Sequence, residues 1–232
     1  MLTETAARPI RNPAATRGRL VDATVRLMLR QGFAATSVDQ ICEEAGLTKG
    51  SFFHHFPTKD AIGREALGAF ARMGMDLYAA AWKDPDLDPL GQLDRLIDIM
   101  IGFARRPGDP VSCMVGMLSQ ELSQTNAEIR SACAGHLAAW TEMAEKMLAA
   151  AKKRHPPRVD FDPAAVAWML NSLWQGSMLI AKARQEPEMI VSNLRHGRAY
   201  VDSLFTGSAE KPARPRRSQV KAPRHARKNK TR

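Results

Sequence analysis

The chain has 232 residues, 44% of them hydrophobic, enough for a substantial core. No run approaches the roughly 18 uncharged apolar residues of a membrane span, and MLTETAARPIRNPAATR lacks the apolar block of a secretory leader, so a cytoplasmic protein is expected. Cys42, Cys113 and Cys133 form no CxxC pair or His/Cys cluster, so no disulfide framework, metal site or cofactor is expected.

The formal charge of +10 resembles a nucleic-acid footprint until the charges are located. Ten of the 34 Lys/Arg lie in 211–232 without an acid, and the remaining 24 balance the 24 Asp/Glu. The excess sits in a tail, 207–232, with Pro212, Pro215 and Pro223 and little to bury, which predicts disorder. Such a tail is either a solubilising extension or an arm that adds sequence-independent attraction to phosphates.

Hydrophobic spacing is helical almost throughout, and strand alternation is lacking, so the chain reads as all-α. After a flexible N-terminus, 1–13, the positions of Leu20, Ala23, Thr24, Leu27 and Met28 predict a helix over 14–31 that stops at Gly32. A second helix is expected from Thr36, capped by its hydroxyl, with Asp39 three residues on and Val38, Ile41, Cys42 and Ala45 facing inward. Gly46 ends it, and a short third helix runs from Thr48 to His55, with Pro57 preventing its extension. Two helices joined by a tight glycine-bearing turn are the helix-turn-helix pattern, whose second helix enters the DNA major groove. A fourth helix is expected over 58–82, and others over 88–105, 111–123, 126–153, 163–185 and 187–205, separated by proline-bearing breaks.

The stretch GLTKGSFFHHFPTKDA, 46–61, holds three Phe, two His and two Lys. Burying each phenylalanine is worth about 1.5–3 kcal/mol, so Phe52 and Phe56 are expected in the core. That leaves Lys49, Gly50, Ser51, His54 and His55 outward, with donors for phosphates and base edges. Lys59 in the first turn of a helix opposes the helix dipole, which an adjacent phosphate would reverse. His54 and His55, about 100° apart on a helix, do not form a metal site.

Residues 32–62, GFAATSVDQICEEAGLTKGSFFHHFPTKDAI, resemble the DNA-binding signature of the TetR/AcrR family of bacterial transcriptional regulators, and the match reaches back to about Arg17. The resemblance implies a homodimer with a helix-turn-helix head, 14–62, and a larger ligand-binding and dimerising domain, 63–206. It implies a DNA operator and a small-molecule effector as partners, and for most such proteins repression relieved by the effector. It places Thr48, Lys49, Gly50 and Ser51 near base edges and backbone, His54, His55 and Lys59 at phosphates or the groove, and Thr36 beside the phosphate backbone. Phe53 departs from the pattern, standing where a phosphate-bonding tyrosine is common. Asp39 also departs, standing where some members read a base with arginine, and is assigned to capping.

All four Trp and ten of the twelve Met lie beyond Ala66. They suit a helix-bundle core, and as a group also an adaptable apolar pocket. No GxSxG, HExxH or phosphate loop accompanies them, so an enzyme is not expected. Cys113, at a helix start where backbone dipoles favour a thiolate, is a candidate sensor or a small buried apolar residue. PVSCMVGMLSQELSQTNAEIRSAC, 110–133, and LNSLWQGSMLIAKARQEPEMI, 170–190, resemble a branch with NemR- and AcuR-like repressors, some responsive to electrophiles or small unsaturated acids. The candidate sensor pocket comprises Cys113, Met117, Trp140, Trp174, Met178 and Lys182, with Lys182 placed to stabilise a thiolate.

The alternative is a nucleoid-type helical protein that binds DNA non-specifically through its tail. Deleting 207–232 distinguishes the two. Specific binding is expected to survive, with the slope of log affinity against log salt shallower by about 0.9 for each phosphate that the tail had neutralised. Abolished binding would favour the nucleoid-type reading.

Overall fold

The computed structural model describes residues 13–106 and 111–205; the expected basic tail and, but for Pro13, the expected flexible N-terminus lie outside them. The described residues form nine helices and no strand. These are α1 (Pro13–Gln31), α2 (Val38–Ala45), α3 (Lys49–His55), α4 (Lys59–Trp82), α5 (Pro89–Ala104), α6 (Met114–Leu122), α7 (Ala127–Arg154), α8 (Pro163–Arg184) and α9 (Glu188–Phe205).

Helix ends follow local chemistry. Thr48, Thr58, Asp88, Asn126 and Asp162 cap α3, α4, α5, α7 and α8 with their side-chain oxygens, as short polar residues do for free N-terminal N–H groups. Gly32 and Gly46 end α1 and α2 at φ +85° and +61°, conformations that glycine adopts without Cβ strain. The Leu47 N–H then bonds to the Cys42 carbonyl, a Schellman closure.

The expected cap of α2 is corrected. Ser37, not Thr36, is the cap: its hydroxyl accepts from the Gln40 N–H, while the Gln40 side chain accepts from the Ser37 N–H. Gln40 is one methylene longer than Asp39 and sits three residues after the cap, so it completes the reciprocal pair. Thr36 is buried, and its hydroxyl donates to the Gly32 carbonyl at 2.7 Å.

Two apolar cores form. The first gathers Leu20, Leu27, Met28, Phe33, Ile41, Phe52, Phe56, Ile62 and Leu67, together with Met114, Val115 and Leu118 of α6 and Ile129 and Cys133 of α7. The second packs the distal part of α4 with α5, α7, α8 and α9 around Leu96, Met100, Trp140, Leu148, Trp174 and Leu194. Helices α4 and α7 run through both, so the division expected at 62/63 falls inside α4, with no linker there.

A close crossing locks α4 to the turn after α1. A Cβ on Gly63 would lie 2.7 Å from a ring carbon of the buried Phe33. Gly63→Ala is therefore expected to lower Tm, overpacking of about 1–3 kcal/mol outweighing about 1 kcal/mol of helix propensity. Gly135→Ala, where nothing lies within 4 Å, is expected to stabilise by about 0.5–1 kcal/mol. Thermal unfolding of both variants measures the contrast.

Candidate functional site

The outer face of the first three helices is organised around α3. Phe52 has 0% exposure and Phe56 2%, which fixes the rotation of this seven-residue helix. Thr48, Lys49, Gly50 and His54 are consequently exposed, and Ser51 and His55 half-buried. Thr48 caps the helix by accepting from the Ser51 N–H at 3.2 Å. A Cβ on Gly50 would meet nothing nearer than the Thr48 hydroxyl at 3.9 Å, so the backbone is open to a close partner there. Phe53, 56% exposed, stands on this polar face with its ring edge-to-face on Phe52.

Three expected roles change. Lys49 pairs with Asp39 across the helix-turn-helix at 2.7 Å, both side chains well exposed; Asp39 thus serves as the partner of a lysine rather than as a cap. The Asp39 carboxylate, through a hydrogen bond and its charge, raises the Lys49 pKa. Lys59, at the start of α4, is engaged within the head. Its ammonium donates to the Phe33 and Thr36 carbonyls, each at 3.0 Å, and lies 4.3 Å from the centroid of the Phe33 ring. Carbonyl dipoles and a π-face supply the negative partner expected from DNA. Thr36, buried and bonded within the turn, is withdrawn from the DNA-facing set.

Arginines brace this face from behind. Arg26 and Arg30 of α1 hold the Glu44 carboxylate at 2.9 and 3.0 Å, and their hydrogen bonds lower its pKa. Arg19 donates to the Ala45 carbonyl at 2.5 Å, and Arg17 pairs with Glu65 of α4.

A cavity of about 210 Å³ opens where the two cores meet. Its wall draws on Phe70, Met73, Met75, Leu77 and Tyr78 of α4, Phe103 and Arg106, Cys113 and Val115 at the start of α6, His136, Leu137 and Trp140 of α7, and Asn171, Trp174, Gln175 and Met178 of α8. The α8 residues fall at i, i+3, i+4 and i+7, one helical face. Among the described residues no Asp or Glu lines the cavity. Burial, then the charge of Arg72, holds the His136 pKa below its ordinary value, so the ring is neutral at pH 7. Burial, then the neighbouring Cys113, pushes the Tyr78 phenol well up, so it keeps its proton. The Trp140 indole N–H is buried without a hydrogen-bond partner among the described residues.

Of the expected pocket residues, Cys113, Trp140, Trp174 and Met178 line this cavity, whereas Met117 and Lys182 do not. Lys182 lies seven residues beyond Gln175, about 10 Å further along α8. Gln175 takes the place expected of that lysine, its amide reaching the Cys113 sulfur at 3.6 Å. Cys113 occupies the N-cap position of α6 and makes no cap bond. Cys42 and Cys133 are buried, and burial raises both thiol pKa values. Among the described residues no cluster of His, Cys, Asp and Glu suits a metal ion, and no helix is long and apolar enough to cross a membrane.

A helix-turn-helix face joined to a larger helical domain is the architecture of a DNA-binding regulator. Residues 20–66 match the family model "Bacterial regulatory proteins, tetR family", and residues 89–196 match "Tetracyclin repressor-like, C-terminal domain". The transcriptional regulator AcuR of Cereibacter sphaeroides is 31% identical over 185 residues, 78% of this chain and 84% of the relative. The HTH-type transcriptional repressor DhaR of a Mycobacterium species is 26% identical over 74% of this chain and 85% of its own. A regulatory protein TetR from Rhodobacter sphaeroides superposes with a TM-score of 0.70 at 26% identity, covering 80% of this chain and 98% of that one. Reduced Escherichia coli NemR shares the fold with a TM-score of 0.73 at 22% identity, covering 84% of this chain and 100% of its own. The chain belongs to the TetR family of DNA-binding transcriptional regulators, which are not enzymes.

Two lysines, both read from sequence as DNA contacts, now separate by a stability measurement. Lys59→Ala is expected to lower stability by about 1.5–3 kcal/mol, the range for hydrogen bonds to a charged group. Lys49→Ala is expected to leave Tm unchanged, its ion pair being fully solvated. Thermal unfolding of the two variants checks this.

Proposed function

We propose that this protein is a homodimeric, cytoplasmic repressor that binds a palindromic operator through α3 and releases it when a small molecule or electrophile enters the cavity. The observation that carries the reading is the position of the cavity at the seam of the two cores, walled by α4 and α6, which also pack against α1, and by α7, which shares the apolar core of the head. An occupant that favours one arrangement of these helices shifts the population by its differential affinity.

Thr48, Lys49, Gly50, Ser51 and His54 form the DNA-facing set, with His55 at its rim. Removing Thr36 and Lys59 leaves a surface whose main cation is partly masked by Asp39, which fits selective rather than indiscriminate binding. Trp168, Met169, Leu179 and Ile180 are exposed in register along α8, and Tyr200 on α9; they supply the apolar face for a second copy. An isologous pair joined there would set two recognition helices about one DNA turn apart, roughly 34–36 Å. The DhaR name, a repressor, supports the direction of regulation, and the half-buried Cys113 on the cavity wall supports response to electrophiles.

Selection of bound DNA from a random pool tests the core of this reading. The full chain is expected to yield a palindromic consensus that Lys49→Ala weakens, and Asp39→Asn is expected to increase binding to non-consensus DNA by unmasking the lysine. A pool without a consensus, bound only as the tail and salt dictate, would replace this reading with the nucleoid-type one. With the operator in hand, Cys113→Ser is expected to blunt electrophile-triggered release; equal release by parent and variant removes Cys113 from sensing.

A further inference from the structure

We propose that Glu121 is the positioning residue through which cavity occupancy reaches the DNA-binding helices, a proposal that rests on the effector reading above. Glu121 lies in the last turn of α6, at the far end of that nine-residue helix from Cys113 and Val115 on the cavity wall. Its carboxylate accepts the backbone N–H of Phe33 at 3.0 Å and of Ala34 at 2.6 Å, joining segments 88 and 87 residues apart in the chain. These N–H groups belong to the turn between α1 and α2, directly ahead of the helix-turn-helix.

Gly32 supplies the backbone conformation that presents these N–H groups. Its φ of +85° turns the chain, a conformation strained for any residue with a Cβ, and the Glu121 carboxylate packs over it at ordinary contact distance. The same turn is held from its other side within the head, where the Phe33 and Thr36 carbonyls accept from Lys59. The donors of this turn thus bind an anion carried by α6, while its acceptors bind a cation carried by α4.

The rest of α6 suits transmission. Met114, Val115 and Leu118 are buried in the core shared with α1 to α4, so a shift of α6 is felt directly by the head. At its start, a Cβ on Gly116 would lie 2.5 Å from the Gln175 amide oxygen, and the same amide reaches Cys113. A group added at Cys113 must displace this contact, shifting the start of α6 against α8. At 1.5 Å rise per residue the helix is about 13 Å long, rigid over that span, so a shift at Cys113 appears at Glu121. Two short, directional hydrogen bonds lose alignment with small displacements, whereas the apolar contacts of Leu118 slide. Glu121 is therefore where a displacement of α6 becomes release of the α1–α2 turn.

The test uses the full chain with N-ethylmaleimide as the cavity probe, addition at Cys113 being verified by mass. Amide hydrogen exchange is read at Phe33 and Ala34, with Leu27 of α1 as the internal reference, alongside operator affinity. Alkylation of the parent is expected to speed exchange at both amides at least tenfold without changing Leu27. Glu121→Ala is expected to exchange at the fast rate before alkylation and to change no further; Glu121→Gln, which keeps one acceptor, is expected to lie between. Unchanged protection of both amides in the alkylated parent overturns the proposal, even where operator affinity falls. Faster exchange with unchanged operator affinity retains the grip and removes the release reading instead.

Discussion

A helix of seven residues has no stability of its own in water, so everything this protein does at DNA depends on burying Phe52. That ring is the deepest point of α3, and its neighbours in the core come from α1, α2 and α4 and, through the same cluster, from α6 and α7. The recognition surface is therefore the outer side of a helix held by its inner side. Thr48 at one end and Phe56 at the other fix its length, and the packing of Phe52 fixes its rotation. Because that core does not stop at the head, the recognition helix shares its supporting contacts with the walls of the cavity.

Charge plays a narrower part than the overall balance suggests. Most cations of the described head are committed to protein partners: Arg17 to Glu65, Arg26 and Arg30 to Glu44, Lys49 to Asp39, Lys59 to two carbonyls. These arrangements orient backbone and side chains rather than build a broad positive field. On the reading proposed above, such a surface discriminates through geometry at α3 rather than through diffuse attraction to phosphates.

The cavity shows a complementary economy. Its wall is aromatic and sulfur-rich, with Tyr78 protonated, His136 neutral and no carboxylate among the described residues, so it presents donors and apolar surface without a negative charge. Such a site favours neutral or anionic molecules with an acceptor atom over cations, since these side chains do not compensate a buried positive charge. Family membership and cavity chemistry both support the sensor reading proposed above, and the cavity lies where the core of the first three helices meets that of the larger helical domain.

The nine helices of the described residues, their breaks and the glycine stops after α1 and α2 were legible from sequence, because turns and apolar periodicity are set by residues within four positions of one another. The assignment of Phe52 and Phe56 to the core was legible too, since three phenylalanines in five residues cannot share a solvated face. The Ser37–Gln40 capping box was equally local; it was missed because Thr36 and Asp39 offer a competing, shorter pair one residue earlier. Other decisions belonged to the tertiary structure alone. The turn of Lys59 toward two carbonyls, the replacement of Lys182 by Gln175 beside Cys113, and the reach of Glu121 to Phe33 and Ala34 join segments far apart in the chain. Sequence spacing says which side of a helix a residue occupies, but only packing sets which neighbour that side meets and at what height along the axis.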